Sequence, residues 1–323
     1  MLRFDGEVAL ITGGGRGMGR EHALLLASRG AKIVVNDFGV AMSGAAMTET
    51  PADEVVAEIR AAGGEAIADT NDVSSPAGAR AMVRAAIDAW GRIDIIVHNA
   101  GIVTFAPLAE MPYEDFRKLV SVHLDGGFLV TQAAWPHMVR QKHGRVILIS
   151  SQAGLAGLPN SAHYSAAKTA VTGLARAITL EGKEHGIHGN ALDVLAYTRM
   201  MEDFFTGEKG REDAGVRLSG AQWWQTYVRP DIISPVVAWL AHRSCEVAGQ
   251  IINTAAGRVC NQYLTMTQGF TDPNLTPESI AANVDKIFDR SGGTREFANG
   301  EDYALWQFAK LSEEAGVPPI PQG

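Results

Sequence analysis

The chain has 323 residues, 46% of them hydrophobic and 20% charged, which allows a substantial core and excludes global disorder. The formal net charge is −8 and lysine and arginine form no block, so we expect no nucleic-acid partner. Two cysteines, Cys245 and Cys260, give no disulfide framework, and the absence of a signal peptide or a long apolar run predicts a cytoplasmic protein without a membrane span.

The predicted elements alternate between strands and helices from the first residues onward. The strands are unbroken apolar runs, which is typical of a parallel sheet covered on both faces. In chain order we predict strand Glu7–Thr12, a helix to Arg29, strand Lys32–Asn36, a helix near Ala52–Ala62, strand Glu65–Asp69, helix Pro76–Trp90, strand Ile93–Asn99, a long helical stretch and strand Gly144–Ser150. This order indicates an α/β protein with a three-layer, doubly wound parallel sheet.

A glycine cluster, TGGGRGMG at Thr12–Gly19, follows the first strand. Its spacing does not match the fingerprint GxGxxG but fits TGxxxGxG, and a tight turn alone would explain only one of the glycines. At the end of a parallel strand, Gly17 and Gly19 would let the backbone approach a pyrophosphate at the amino terminus of the next helix. We therefore predict a dinucleotide site that includes Gly13, Arg16, Gly17, Met18 and Gly19.

Asp37 ends the second strand, where an acidic side chain can accept hydrogen bonds from the adenosine ribose. Its charge would repel a 2′-phosphate, so NAD is favoured over NADP as the cofactor. Two alternatives stay open. Asp37 could be an ordinary turn residue, and Arg16, a cation beside the phosphate loop, could bind the 2′-phosphate of NADP.

Tyr164 and Lys168 are four residues apart, so they share one face if this segment is a helix. A nearby ammonium favours the phenolate and should lower the tyrosine pKa, which suits a group that takes a proton from an alcohol. Ser151 directly follows a predicted strand and could hydrogen-bond the substrate oxygen. Taken alone, the tyrosine–lysine pair could equally be a surface cation resting on an aromatic ring.

Together these motifs resemble the short-chain dehydrogenase/reductase family, over roughly residues 5 to 255. The other matching segment is NAG at Asn99–Gly101. The resemblance implies a Rossmann fold in which Tyr164 is the general acid–base, Lys168 holds the nicotinamide ribose and Ser151 orients the substrate oxygen. It also implies further cofactor-binding residues, namely Asp72, Val73, Asn99, Ala100, Gly101 and Thr198.

Longer strings, among them HLDGGFLVTQAAW and LTPESIAANVDKIFD, resemble the (3R)-hydroxyacyl-CoA dehydrogenase part of the peroxisomal multifunctional enzyme type 2 and its stand-alone bacterial relatives. This resemblance implies a (3R)-hydroxyacyl-CoA substrate and a homodimer or homotetramer. A 17β-type hydroxysteroid dehydrogenase and a redox-silent NAD-binding protein remain alternatives. We expect a catalytic domain at residues 1–260 and a mostly helical extension at 261–323, with helices near Pro277–Arg290 and Asp302–Glu314.

The chain departs from the general family pattern at two places. His123 stands where many members have an active-site asparagine, and it could either help a proton relay through its backbone or simply pack in a helix. The usual Pro-Gly after the sixth strand is absent, and Val194 and Tyr197 lie in that neighbourhood. We predict that Leu195–Trp224 form a flexible substrate lid, in which methionine and aromatic side chains line an apolar pocket or pack in the core.

Two other features have simpler interpretations. His185 and His188 have no third ligand nearby in the sequence, so we expect no metal site. The helix after Tyr164 is rich in small residues, which favours a subunit interface; these are Ala166, Ala167, Ala170, Gly173, Ala175 and Ala177.

Overall fold

The computed structural model describes residues 1–39, 50–198, 201 and 221–318. The chain divides into two compact units, Met1–Asn261 and Gln262–Gly323. Most of the segment between β2 and the next helix, residues 40–49, and most of the lid expected at Leu195–Trp224 lie outside the described residues. Nothing about the lid prediction is therefore decided by the fold.

The first unit is built on an eight-stranded sheet with the order β3-β2-β1-β4-β5-β6-β7-β8. All the neighbouring pairs from β3 to β7 are parallel. The strands are β1 Val8–Thr12, β2 Lys32–Asn36, β3 Ala66–Asp69, β4 Ile95–His98, β5 Gly144–Ser151, β6 Ile187–Leu195, β7 Ile251–Ala255 and β8 Arg258–Gln262. The doubly wound fold predicted from the sequence is confirmed.

The last strand of the sheet, β8, forms a β-hairpin with β7 and was not predicted from the sequence. Only Ala256 and Gly257 separate β7 from β8, with φ of 48° and 80°. Two successive residues in the left-handed region form the tight turn that joins antiparallel strands. The sheet is therefore parallel up to β7 and closes with one antiparallel strand.

Helices cover both faces of this sheet. They are α1 Gly17–Ser28, α2 Pro51–Ala61, α3 Pro76–Trp90, α4 Tyr113–Val120, α5 Gly126–Gln141, α6 Gln152–Ala156, α7 Ala162–Gly182, α8 Ala221–Tyr227 and α9 Ser234–Ala241, numbered over the described residues. Alternate residues of each strand enter opposite cores: Ile11 and Val97 pack with α1, α2 and α9, whereas Leu10 and Ile96 pack with α3, α5 and α7. Because both faces are buried at the centre of the sheet, β1, β2, β4 and β5 are mainly apolar.

A fully buried histidine ties two helices together on the first of these faces. His22 of α1 has 0% of its surface exposed, and its Nδ1 lies 2.8 Å from the Ser234 hydroxyl at the start of α9. Burial lowers the pKa of His22 to about 3. His98, at the end of β4 and also buried, has its pKa lowered to about 4, mainly by burial and next by the charge of Lys168.

These two histidines should make the protein sensitive to acid. The unfolded chain takes up protons below about pH 6.5, whereas the folded chain resists protonation until near the lowered pKa values. The free energy of unfolding should therefore fall by about 2 kcal/mol per histidine between pH 8 and pH 5. Urea unfolding across this range would measure the loss. His22→Gln should remove the contribution of this residue, about 2 kcal/mol of the total loss, and an unchanged pH dependence in this variant would contradict the assignment.

The second unit contains helices α10 Pro277–Ala282, α11 Val284–Phe288 and α12 Gly300–Ala315, and strands β9 Met266–Thr267 and β10 Thr294–Arg295. The prediction of a single helix near Pro277–Arg290 is wrong, because the helix is interrupted at Asn283 and α10 and α11 are separate. The side-chain Nδ2 of Asn283 donates to the Ser279 carbonyl oxygen at 2.8 Å. The helix expected near Asp302–Glu314 is confirmed as α12, whose start is capped by Asn299.

Candidate active site

The predicted site residues gather at the carboxyl ends of the central strands, where the strand order reverses between β1 and β4. In a doubly wound sheet this reversal opens the crevice in which ligands bind. The turn from β1 to α1 enters it with Gly13 and Gly17 in the left-handed region, at φ of 62° and 52°. The first turn of α1 carries no acidic side chain. Its amide groups and its positive dipole end can therefore receive a phosphate.

Gly19 packs closely against the glycine loop. A side chain there would collide with the carbonyl oxygen of Gly13 and come within 2.6 Å of the Asn99 amide nitrogen. Asn99 Nδ2 in turn donates to the Gly13 carbonyl oxygen at 3.0 Å. Gly19 therefore lets α1 pack against the loop itself, and Gly17 lies beside Thr198, whose Cγ2 is 3.5 Å from the position of an added Cβ.

Thr12 links the glycine loop to the segment after β4. Its hydroxyl oxygen accepts from the backbone N–H groups of Asn99 and Ala100, each at 3.1 Å, and lies 3.0 Å from His98 Nδ1. His98 Nε2 faces the carbonyl oxygen of His123 at 3.1 Å. Because a carbonyl only accepts, Nε2 carries the proton, and the Thr12 hydroxyl donates to Nδ1. One neutral imidazole thus joins the cofactor crevice to His123.

Asp37 lies against the glycine loop, as its position at the end of β2 predicted. One carboxylate oxygen accepts from the N–H of Gly15 and the other from the N–H of Gly39, both at 3.1 Å. Arg16, directly before α1, is exposed. The negative charge at the β2 end of the crevice is therefore fixed by backbone hydrogen bonds.

Asp72 and Val73 follow β3 at the same edge of the sheet. The Asp72 carboxylate accepts from the backbone and the hydroxyl of Ser74 at 2.8 and 2.7 Å, which shapes the turn into α3. Val73 is buried against the α5 glycine Gly126. The chain after β3 thus returns toward β4, because a Cβ added at Gly126 would also lie 3.0 Å from His98 Cε1.

The residues present fit a dinucleotide on structural grounds. The first turn of α1 has no side-chain cap, and the buried Oδ1 of Asn99 has no hydrogen-bond partner among the described residues. Ala100 approaches the glycine loop, since its Cα would lie 2.9 Å from a Cβ added at Gly13, whereas Met18 packs against the core beneath α1 and α2. Gly101 is required because a Cβ would come within 2.5 Å of His123 Cε1.

Tyr164, Lys168 and Ser151 come together beside this crevice. Tyr164 and Lys168 project from one face of α7, and the Lys168 ammonium lies 5.5 Å from the centroid of the Tyr164 ring. Lys168 is 4% exposed, and its Nζ donates to the Ile149 carbonyl oxygen at 2.6 Å. Ser151, the last residue of β5, has its hydroxyl within hydrogen-bonding reach of Tyr164.

The expected lowering of the Tyr164 pKa is wrong for this pocket. Burial raises the pKa of Tyr164, and the charge of Asp193 on β6 adds to the rise, while the Ser151 hydroxyl acts in the opposite direction. Burial also lowers the pKa of Lys168 to about 7. The Lys168 ammonium is therefore itself close to losing its proton. The cost of burying a charge in the apolar pocket exceeds the stabilisation that the ammonium and a Tyr164 phenolate would give each other.

His123 contacts Tyr164 from the opposite side. The chain between α4 and α5 forms a π-helical turn at Ser121–Asp125, and turns of this type frequently occur at functional sites. The His123 ring meets the Tyr164 ring edge to face at 5.4 Å, and its Nε2 lies 2.7 Å from the Ile102 carbonyl oxygen. The Ile102 backbone N–H donates to the same ring nitrogen at 3.1 Å, and the buried Nδ1 has no hydrogen-bond partner among the described residues.

Part of the predicted substrate side is described. The Tyr197 hydroxyl accepts from Gln225 Nε2 at 3.2 Å, which links the end of β6 to α8. On α8, Trp223 contacts Trp224 and Tyr227, with ring centroids 6.1 and 5.3 Å apart. Met200, Phe204 and Phe205, expected in the same apolar group, lie outside the described residues.

No three histidine, cysteine, aspartate or glutamate side chains in the described ranges lie close enough together to hold a metal ion. No helix in the same part of the chain combines the length and the hydropathy of a membrane span.

Comparison with known proteins gives one consistent family. The model of the family described as short chain dehydrogenase matches residues 7–208. The chain is 41% identical to the peroxisomal multifunctional enzyme type 2 of Drosophila melanogaster, and the match covers 90% of this chain and 48% of that protein. It is 36% identical to a short-chain type dehydrogenase/reductase of Mycobacterium tuberculosis, and this match covers 88% of this chain and 95% of that protein. The structure of the full-length Drosophila enzyme superimposes with a TM-score of 0.77 at 32% identity, over 98% of this chain and 51% of that one. The chain thus spans about half the length of the multifunctional enzyme.

Proposed function

Because this chain belongs to the short-chain dehydrogenase/reductase family, near the dehydrogenase part of the multifunctional enzymes, we propose that it transfers a hydride between NAD and a (3R)-hydroxyacyl-CoA. Family membership, which the sequence motifs predicted, makes the protein an oxidoreductase that depends on a nicotinamide nucleotide. The choice of NAD, the substrate and the residue roles below are proposals.

One observation carries the mechanism. Tyr164 lies at the carboxyl edge of the sheet with Ser151 and His123 against it and Lys168 one helical turn away. We assign Tyr164 as the group that exchanges a proton with the substrate oxygen, and Ser151 as the donor that orients that oxygen. Lys168 holds positive charge beside them and would bind the nicotinamide ribose.

The bound oxidised nicotinamide supplies the hydride acceptor. The residues supply the proton transfer, and its direction depends on the protonation state of Tyr164. Since burial raises the pKa of Tyr164, the hydroxyl is protonated at neutral pH and can donate to a developing alkoxide when a ketone is reduced. Alcohol oxidation requires the phenolate, so its rate should rise with pH until Lys168 loses its charge.

We propose NAD rather than NADP because the Asp37 carboxylate is held at the edge of the glycine loop. A 2′-phosphate there would meet a fixed negative charge, and such a pairing costs several kcal/mol when desolvated. Asp37→Ala should therefore lower the preference for NAD, measured as the ratio of kcat/KM values, by about tenfold. Asp88→Ala, which removes an exposed charge on α3, is the matched control. An unchanged ratio in Asp37→Ala would refute this basis for cofactor choice.

The substrate proposal draws on the names of the relatives. They include the multifunctional enzymes and a peroxisomal hydratase-dehydrogenase-epimerase of Saccharomyces cerevisiae, 38% identical over 89% of this chain and 31% of that protein. NADH production should be assayed with (3R)- and (3S)-hydroxyacyl-CoA thioesters and with 17β-hydroxysteroids. Selective oxidation of the (3R)-thioester supports the proposal. Oxidation of the steroids alone would replace it with the hydroxysteroid alternative.

We also propose a homodimer or homotetramer. The small residues of α7 do not lie on one face, because Ala167 and Ala175 are buried in the cores. Ala166, Gly173 and Leu180 are exposed along the remaining face, and Leu180 is 50% exposed. Small residues on an exposed face allow a second helix to approach closely, which is the surface we assign to the subunit contact.

A further inference from the structure

A buried carboxylate that no sequence motif identified lies behind the Tyr164–Lys168 pair. Asp193 is on β6, near the carboxyl end of the sheet, with 0% of its surface exposed. Its register partners are Ser150 on β5 and Asn253 on β7. Asn253 Nδ2 donates to the Asp193 carboxylate at 3.0 Å. Burying a carboxylate is costly, so its surroundings must contribute interactions that stabilise the charge.

The carboxylate faces the helix that carries Lys168. The Ser150 hydroxyl donates to the Lys168 carbonyl oxygen at 2.8 Å, so the Ser150 side chain points toward α7. Residues paired in register on parallel strands point to the same face, which directs Asp193 toward α7 as well. Ala191, two residues earlier on β6, packs in the same core as Val171 of α7 and confirms this face.

Four other polar or titratable groups surround the same space. Tyr164 lies one turn before Lys168 on α7, Ser151 ends β5, and His98 and His123 approach from β4 and the π-helical turn. Burial, and next the charge of Lys168, lowers the pKa of both histidines, so both stay neutral near pH 7. Asp193 raises the pKa of Lys168 and of Tyr164. Among the described residues it is the charge that opposes the effect of burial on Lys168.

We propose that Asp193 is a positioning residue whose buried carboxylate keeps the Lys168 ammonium charged and directed toward Tyr164. The inference rests on the proposed function of Tyr164 and Lys168. It differs from a purely structural role, in which Asp193 would only join β6 to β7 through Asn253. Removing an anion lowers every neighbouring pKa, whereas loss of a structural tie does not.

The test is the pH profile of kcat/KM for (3R)-hydroxyacyl-CoA oxidation in Asp193→Asn. Asparagine has nearly the same shape and can still accept the hydrogen bond from Asn253. Both limbs of the profile should move to lower pH by about one unit, because both report groups near the lost charge. The matched control is Asp69→Asn, since Asp69 of β3 is 7% exposed and accepts from Asn36 of β2 at 2.8 Å but does not act on Lys168 or Tyr164.

An unmoved profile in a folded Asp193→Asn variant would overturn the proposal, as would an equal shift in Asp69→Asn. If Asp193→Asn does not fold, the double variant Asp193→Asn with Lys168→Met distinguishes the positioning role from the structural role. Removing both charges leaves neither one buried alone, so the double variant should unfold at higher urea concentration than Lys168→Met. A double variant less stable than Lys168→Met would assign Asp193 a structural role. Because this readout needs no turnover, it remains valid if the proposed substrate is wrong.

Discussion

Replacing Tyr164 by phenylalanine should lower turnover of the (3R)-hydroxyacyl-CoA by about 10³-fold, within the range that general acid–base groups contribute. The substitution removes only the hydroxyl, which is the group within reach of Ser151. The ring remains, and with it the edge-to-face contact with His123 at 5.4 Å. The fold and the dinucleotide crevice should therefore be preserved, and the loss should appear in kcat.

The measurement pairs steady-state kinetics with NAD binding by calorimetry. The Kd for NAD should stay within about twofold of the wild-type value, a change of less than 0.5 kcal/mol. Tyr113→Phe is the control, because Tyr113 is 70% exposed on α4 and stacks on Phe116 of the same helix. Turnover retained in Tyr164→Phe would eliminate the proposed proton transfer. Loss of NAD binding would instead indicate that the variant disturbs the crevice.

Replacing Lys168 by methionine should lower kcat/KM by about 10²-fold or more and weaken NAD binding as well. Methionine keeps most of the length of the side chain but loses the charge and the hydrogen bond to the Ile149 carbonyl oxygen. The Asp193 carboxylate would then be left buried beside a neutral group, so the free energy of unfolding should also fall. This variant therefore affects the chemistry, the cofactor and the stability together.

Lys183→Met provides the comparison for this variant. Lys183 directly follows the carboxyl end of α7 and is exposed, so its replacement removes a lysine charge from the far end of the helix without entering the pocket. It should leave kcat/KM and the NAD Kd unchanged. Wild-type kcat/KM in Lys168→Met, measured at saturating NAD, would show that the ammonium takes no part in the reaction.

The sequence could predict what depends on local spacing. The four-residue separation of Tyr164 and Lys168 predicted a shared helix face, and both project from α7. Ser151 was predicted at a strand end and is the last residue of β5. The apolar runs predicted the parallel strands because each is covered on both faces. These features depend on residues that are close together in the sequence, so they can be recognised without three-dimensional information.

The electrostatics of the site could not be predicted in this way. The sequence shows Lys168 beside Tyr164 but not the burial of both, which raises one pKa and lowers the other. Asp193 is separated from Lys168 by 25 positions and approaches it only through the register of β5 and β6. A charge delivered by strand pairing leaves no local pattern in the sequence.

The π-helical turn at Ser121–Asp125 was also beyond sequence reasoning. A helical pattern predicted one long helix before β5, and one wider turn does not change the apolar spacing enough to be seen. The turn nevertheless directs the His123 carbonyl to His98 and the His123 ring to Tyr164. The two glycines that follow, Gly126 and Gly127, can be explained only now, since a Cβ on either would come within about 3 Å of the His98 ring.

The most direct test of the mechanism is a single-turnover reaction of the enzyme with NAD and (3R)-hydroxyacyl-CoA carrying deuterium at carbon 3. We expect NADH to appear in step with the 3-ketoacyl product, more slowly than with the unlabelled thioester, and not at all from the (3S) isomer. Deuterium should be recovered in the nicotinamide ring. An enzyme that binds NAD but transfers no deuterium from this substrate, or that transfers it equally well without the Tyr164 hydroxyl, would contradict the account.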